Sequence, residues 1–130
     1  MTDVPETAHT GGHLETRIAE LRARLPDLKA ATLATRSGLL VAADVDDGVD
    51  ADALAALGAD LLASAQAAAR TLAGGEPRET TVRGPRRHVI AVSAGDGAVL
   101  IAMTDALVPP SSVLPDLREA AQAMAEMLAE

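Results

Sequence analysis

The 130 residues contain no cysteine, phenylalanine, tyrosine or tryptophan, and lysine occurs once, at position 29. Without cysteine there is no disulfide framework, no thiolate metal site and no thiol redox chemistry. Without aromatics no base can be stacked, and the core must be built from Leu, Val, Ile, Ala and four Met, each contributing less area than a ring would. A core that thin favours further burial by self-association. A single lysine at a strand start leaves no lysine-based phosphate cradle, and neither G-x-x-x-x-G-K-[ST] nor G-x-G-x-x-G nor G-x-S-x-G is present. Positive charge is also short. The net charge of −8 opposes binding to phosphate backbones, so nucleic acid is not an expected partner. No basic-then-apolar leader opens the chain and no run approaches the roughly 20 apolar residues of a membrane span. The expectation is a soluble, cytoplasmic protein.

What is present reads as one domain. Residues 1–12, polar and carrying Pro5, Gly11 and Gly12, are expected to form a flexible tail, and residues 13–130 the domain. Leu14, Ile18, Leu21 and Leu25 recur at helical spacing ahead of Pro26, which predicts a first helix over 13–24. Two apolar runs over 28–43 break at Arg36-Ser37-Gly38, a hairpin signature with a glycine suited to positive φ. Asp50 then stands as an N-cap before a helix-length stretch, and alternation returns for strands over 79–84, 87–94 and 98–104, with Asp96-Gly97 as the last hairpin. A closing helix runs from the Pro109–Ser112 segment to about Leu128, its buried stripe expected at Leu117, Ala120, Ala121, Met124 and Leu128. The order α-β-β-α-β-β-β-α predicts an α+β fold (α/β sandwich), a five-stranded antiparallel sheet with helices packed on it.

The stretch from Asp52 to Ala73 carries the most information. At 100° per residue Leu54, Leu57, Gly58, Leu61, Leu62, Ala65, Ala68, Ala69 and Leu72 share one side. The other side holds Ala55, Ala56, Ala59, Ala63, Gln66, Ala67 and Arg70, where a surface helix would carry charge. Short side chains there admit a second helix, so the stretch is expected to have two buried faces. Alanine is abundant throughout, 29 of 130 residues, which supplies a compositional explanation for the same face.

Candidate chemistry is sparse. Five aspartates (44, 46, 47, 50 and 52) fall within nine residues, but counting from Asp44 puts Val49 where a calcium loop needs Gly and Ala55 where it needs Glu. They read as a solvated loop matched to a helix dipole. His9, His13 and His88 have no second ligand at zinc-like spacing, so no metal site is expected, and no cofactor site. The cluster Arg83, Arg86, Arg87 and His88 reads as a charged hairpin tip. No nucleophile with a base, and no paired acids flanked by apolar sequence, argue for an enzyme.

The segment from Leu25 to Leu72 resembles the central signature of the Roadblock (dynein light chain) family: a strand, a turn ending in glycine, a second strand and a long small-residue helix. Residues 82–105 and the helix after them are similar to the family's closing meander and last helix. The resemblance implies a profilin-like layout and a homodimer in which the central helices pack antiparallel and the third strand pairs with its symmetry mate. Carried onto this chain, that interface uses Ala55, Ala59, Ala63, Gln66 and Arg70 on the helix and Thr80, Thr81, Val82 and Arg83 on the edge. It further implies a non-enzymatic regulator or scaffold for a small Ras-like GTPase, GTPase activation included. Known activators of this kind supply no arginine finger, which makes Arg70 an interface residue. A different class, a small-ligand sensor of profilin-like or PAS-like architecture, would need polar groups around a cavity, for which Thr32, Thr35, His88 and Ser93 are the available candidates.

Overall fold

The structure, a computed structural model, describes residues 6–72 and 74–129. The elements are α1 (Glu6–Arg24), β1 (Leu28–Thr35), β2 (Leu40–Val45), α2 (Ala51–Thr71), β3 (Glu79–Arg83), β4 (Arg87–Ala94), β5 (Ala98–Asp105) and α3 (Pro110–Ala129). The expected order α-β-β-α-β-β-β-α is the observed one. The helix expected from His13 begins at Glu6; of the expected tail, residues 1–5 lie outside the described residues.

All neighbouring strands are antiparallel, in the order β2-β1-β5-β4-β3. β5 occupies the middle and β1 lies inside the sheet between β2 and β5, which is why its run LKAATLAT is buried almost end to end and does not alternate. β2 and β3 are the two edges. The hairpin turn at Gly38 has φ +92, and a Cβ there would lie 3.1 Å from the Ala56 Cα, so both the dihedral and the approach of α2 require glycine.

Two layers of helix cover the sheet unequally. α1 and α3 share one face with Leu14, Ile18, Leu21, Leu33, Ile90, Leu100, Leu117 and Met124 buried between them and the strands. α2 lies alone on the other, over Ala30, Ala34, Ala91, Val99 and Ile101. Of the stripe expected on α3, Leu117, Ala120, Ala121 and Met124 are buried and Leu128 is exposed. α1 is held to the β2 end by Arg22, which donates to Asp44 Oδ1 at 3.0 Å, to the Leu28 carbonyl at 3.1 Å and to Asp46. Asp50 caps α2, accepting from the Ala53 N–H at 3.1 Å. Three of the five clustered aspartates therefore have partners within the chain.

Candidate protein–protein interface

α2 sits on the sheet in a different rotation from the one its leucines suggest. Leu54, Ala55, Gly58, Ala59, Leu62 and Gln66 face inward. The seat is Gly58: a Cβ there would lie 2.3 Å from Ile101 Cγ1 and 2.8 Å from Cγ2. The helix settles where it has no side chain, because that brings its backbone lowest onto the strands and maximises dispersion contact. Ala55 (0% exposed), Ala59 (2%) and Gln66 (7%), expected on the partner face, are accordingly buried within their own chain. Leu57 (62%) and Leu72 (80%), expected in the core, are exposed, with Leu61 half-buried.

Gln66 is committed internally. Its Nε2 donates to the Pro77 carbonyl at 3.3 Å, and its Oε1 accepts from Arg36 at 3.4 Å, tying the second half of α2 to the β1–β2 turn and to the approach of β3. Arg70 and Ala63 are exposed, and Arg70 pairs with Glu76 at 2.8 Å. Ala59, Ala63 and Arg70 line a shallow groove of about 250 Å³ with Arg36 and Val99, so this flank of α2 faces the end of the sheet that carries the Arg36–Gly38 turn. By helical geometry Leu57 and Leu61 lie on the opposite flank and face the other end. There the register aligns Val82, Val89 and Met103 across β3, β4 and β5 on the α2 side of the sheet. Val89 and Met103 are only partly buried, and Val82 is exposed.

Thr80, Thr81, Val82 and Arg83 all fall on β3, whose far side has no strand neighbour. Thr80 and Val82 share the α2 face with Ala91 and Val89; Glu79, Thr81 and Arg83 point to the α3 side, where Arg118 grips Glu79 through Nε at 2.8 Å and through a second nitrogen at 2.5 Å. The hydrogen bonds from Arg118, followed by its charge and opposed by partial desolvation, hold the Glu79 carboxyl below its ordinary value of 4.5. The protomer thus leaves open both apolar side chains of α2 and the edge of β3.

The cluster at the β3–β4 turn is split by the fold: Arg87 pairs with Asp105, His88 is buried with Nε2 3.0 Å from the Ala106 carbonyl oxygen, and Arg83 and Arg86 remain in solvent. The polar residues weighed for a sensor cavity are not brought together. Thr32 is sealed under α2, His88 faces the α1/α3 side, and Thr35 bonds Ser37 in the turn. Among the described residues no three metal-ligating side chains converge, and no helix is long and apolar enough to cross a membrane.

The family model of the Roadblock/LC7 domain matches residues 16–104, well over half of the chain. Among solved structures, a Roadblock/LC7 domain from Streptomyces avermitilis superposes with a TM-score of 0.81 at 21% identity, over 89% of this chain and 98% of that one. MglB of Myxococcus xanthus gives 0.80 at 17%, over 90% and 95%. An MglB described as having a tetrameric arrangement gives 0.74 at 26%, over 88% and 89%. The layout extends to the profilin of Schizosaccharomyces pombe, TM-score 0.57 at 15% identity over 89% and 96%. No sequence-level match to a curated protein was found.

Proposed function

Because the chain belongs to the Roadblock/LC7 domain family, we propose that it acts as a non-enzymatic homodimer that regulates or scaffolds a small Ras-like GTPase in the bacterial cytoplasm. The observation that carries the dimer is apolar surface left open, with Leu57 and Leu72 exposed and Leu61 half-buried, in a protomer whose β3 edge also has no strand neighbour. Exposed apolar patches bounded by polar surface mark contact sites, and an unpaired edge is a template for another strand. Within that interface Ala63 and Arg70 form the rim of the helix contact, Leu57 and Leu61 its apolar centre, and Thr80, Thr81, Val82 and Arg83 the strand contact. Ala55, Ala59 and Gln66 support it from beneath by setting how low α2 sits.

The GTPase rests on the family resemblance. The surface is apolar and small, suited to contact and not to bond making, so any effect on hydrolysis would come from positioning groups the GTPase itself carries. The similarity to a protein with a tetrameric arrangement supports assembly of more than one copy.

Two measurements test this reading. Light scattering at micromolar concentration should give twice the chain mass; a monomer refutes the dimer. A pull-down from the source organism's lysate, with GDP or a GTP analogue present, should recover a Ras-like protein in one nucleotide state. Recovery of a bound metabolite and no protein would transfer the fold to the sensor class.

A further inference from the structure

The open edge of β3 carries a pattern that goes past self-association to its register. At the two ends of the β3–β4 ladder, Ser93 N–H donates to the Arg78 carbonyl at 2.7 Å and Gly84 N–H to the Arg87 carbonyl at 2.9 Å. In an antiparallel pair, residues bonded to the neighbour alternate with residues whose N–H and C=O point away. Arg78, Thr80, Val82 and Gly84 therefore turn their backbone groups toward β4. Glu79, Thr81 and Arg83 turn theirs outward. The next outward positions on either side are Pro77 and Pro85, which have no N–H to donate. The usable edge is three residues long, closed at both ends by proline.

From this geometry we infer that β3 pairs with β3 of a second copy in one register only, antiparallel about Thr81, placing Glu79 of each chain opposite Arg83 of the other. The inference rests on the homodimer proposed above and specifies how its strands meet. Only this alignment uses all three outward residues of both strands; a shift by two in either direction brings Pro77 or Pro85 into the ladder and forfeits a donor. Charge selects the same alignment. The strand reads Glu-Thr-Thr-Val-Arg, acidic at one end and basic at the other, so a two-fold axis at Thr81 puts opposite charges together twice. Side chains directly opposite in an antiparallel pair share a face, and here it is the α3 face on which Arg118 already holds Glu79. Each Glu79 carboxylate would then lie between its own Arg118 and the partner strand's arginine. Arg83 is exposed and has no ion pair among the described residues, which leaves it available. The edge is thereby coded for a second copy of this chain and against edges lacking an acid four residues before a base.

The test is a charge swap divided between two chains. One carries Arg83→Glu, which sets acid against acid at both cross-strand contacts of its homodimer. The other carries Glu79→Arg together with Arg118→Glu, which preserves the internal ion pair with reversed polarity and sets base against base across the axis. Each alone should dimerise at least about tenfold more weakly than wild type, and an equimolar mixture should recover a dimer of wild-type strength by sedimentation equilibrium, because both cross-strand contacts are then free of the like-charge clash that each homodimer suffers twice. Recovery should be smaller at 1 M salt, where charges are screened within about 3 Å. Circular dichroism melts establish that each chain is folded. If wild type is a dimer but the mixture shows no recovery, or Arg83→Glu dimerises normally, the register is refuted while the dimer stands. A wild-type monomer refutes both.

Discussion

Adding one methyl group at Gly58 should reverse the usual sign of a glycine-to-alanine change in a helix. In the interior of an exposed helix the replacement stabilises by about 1 kcal/mol, since alanine restricts the unfolded chain and glycine does not. At position 58 the new Cβ would lie 2.3 Å from Ile101 Cγ1, 2.8 Å from Cγ2 and 3.1 Å from Cβ. Ile101 is fully buried and β-branched, so it cannot swing its γ carbons aside without leaving its rotamer. Overpacking of this kind costs about 1–3 kcal/mol, and a contact with both γ carbons belongs at the upper end. The net effect of Gly58→Ala is then a loss of about 2 kcal/mol, a fall in Tm on the order of 5–10 °C for a domain of this size. The assay is thermal unfolding at one fixed protein concentration, because a dimer's Tm depends on concentration. A double-mutant cycle makes the reasoning strict. Ile101→Ala removes both γ carbons and is itself destabilising by about 2–5 kcal/mol, but in that background only the Cβ of residue 101 remains, at 3.1 Å, and the penalty of Gly58→Ala should shrink to near zero. A higher Tm for Gly58→Ala in the wild-type background would show that α2 does not rest on Ile101 through position 58.

Leu57→Glu should halve the mass seen by light scattering while leaving the far-UV spectrum unchanged, because Leu57 is 62% exposed and the protomer loses little by its removal. Asp50→Ala should lower the guanidinium midpoint by the equivalent of about 1 kcal/mol through loss of the hydrogen bond to the Ala53 N–H. Arg118→Met should destabilise modestly at pH 7 and not at all at low pH. Glu79 has its carboxyl held below 4.5 by Arg118, so the stability this gives is complete above 4.5 and lost as pH falls through the lower folded value, and urea midpoints of wild type and variant should converge on that descent.

Much of the architecture was legible because local signals agreed with one another. The Asp96-Gly97 hairpin, the break at Gly38, the Asp50 cap and the spacing of Leu14, Ile18 and Leu21 each have one physical reading, and together they place all five strands and three helices in order. The start of α1 at Glu6 was not legible: Gly11 and Gly12 are poor helix formers, so local propensity argues against a turn that is nonetheless helical. The rotation of α2 was not legible either, and the reason lies in its composition. Every face of the stretch from Asp52 to Ala73 is built from leucine and alanine, so the contrast that normally orients a helix is weak. Leucine periodicity pointed to a core face that included Leu57, Leu61 and Leu72, whereas the sheet selected the side where Ala55, Gly58 and Ala59 permit the closest approach. Gly58 was the available signal, a helix-weakening residue kept at mid-helix, which implies a close neighbour. Reading that glycine as the contact point would have moved Ala55, Ala59 and Gln66 into the protomer and Leu57 out of it.

The imbalance between the two faces of the sheet explains why the misplaced leucines matter. Five strands spaced about 4.8 Å apart make a sheet roughly 24 Å across. α2 crosses that width and touches all five strands, so what it leaves open is set by how low it sits and by its small inward side chains. α1 and α3 together cover the other face, with large side chains such as Leu14, Ile18, Leu117 and Met124 buried against the strands. On its own face α2 is alone, and its small inward residues let it sit low without spreading sideways, which leaves the Val82, Val89 and Met103 row incompletely covered at the β3 side. An aromatic core residue on α2 could have spanned that gap from within, but the chain has none. A second α2 delivered by another copy would cover that row, with Leu57 and Leu61 meeting their counterparts above it. The absence of rings leaves that row open and the strand order leaves the β3 edge open, and a second copy would meet both at once, its α2 covering the row and its β3 pairing the edge.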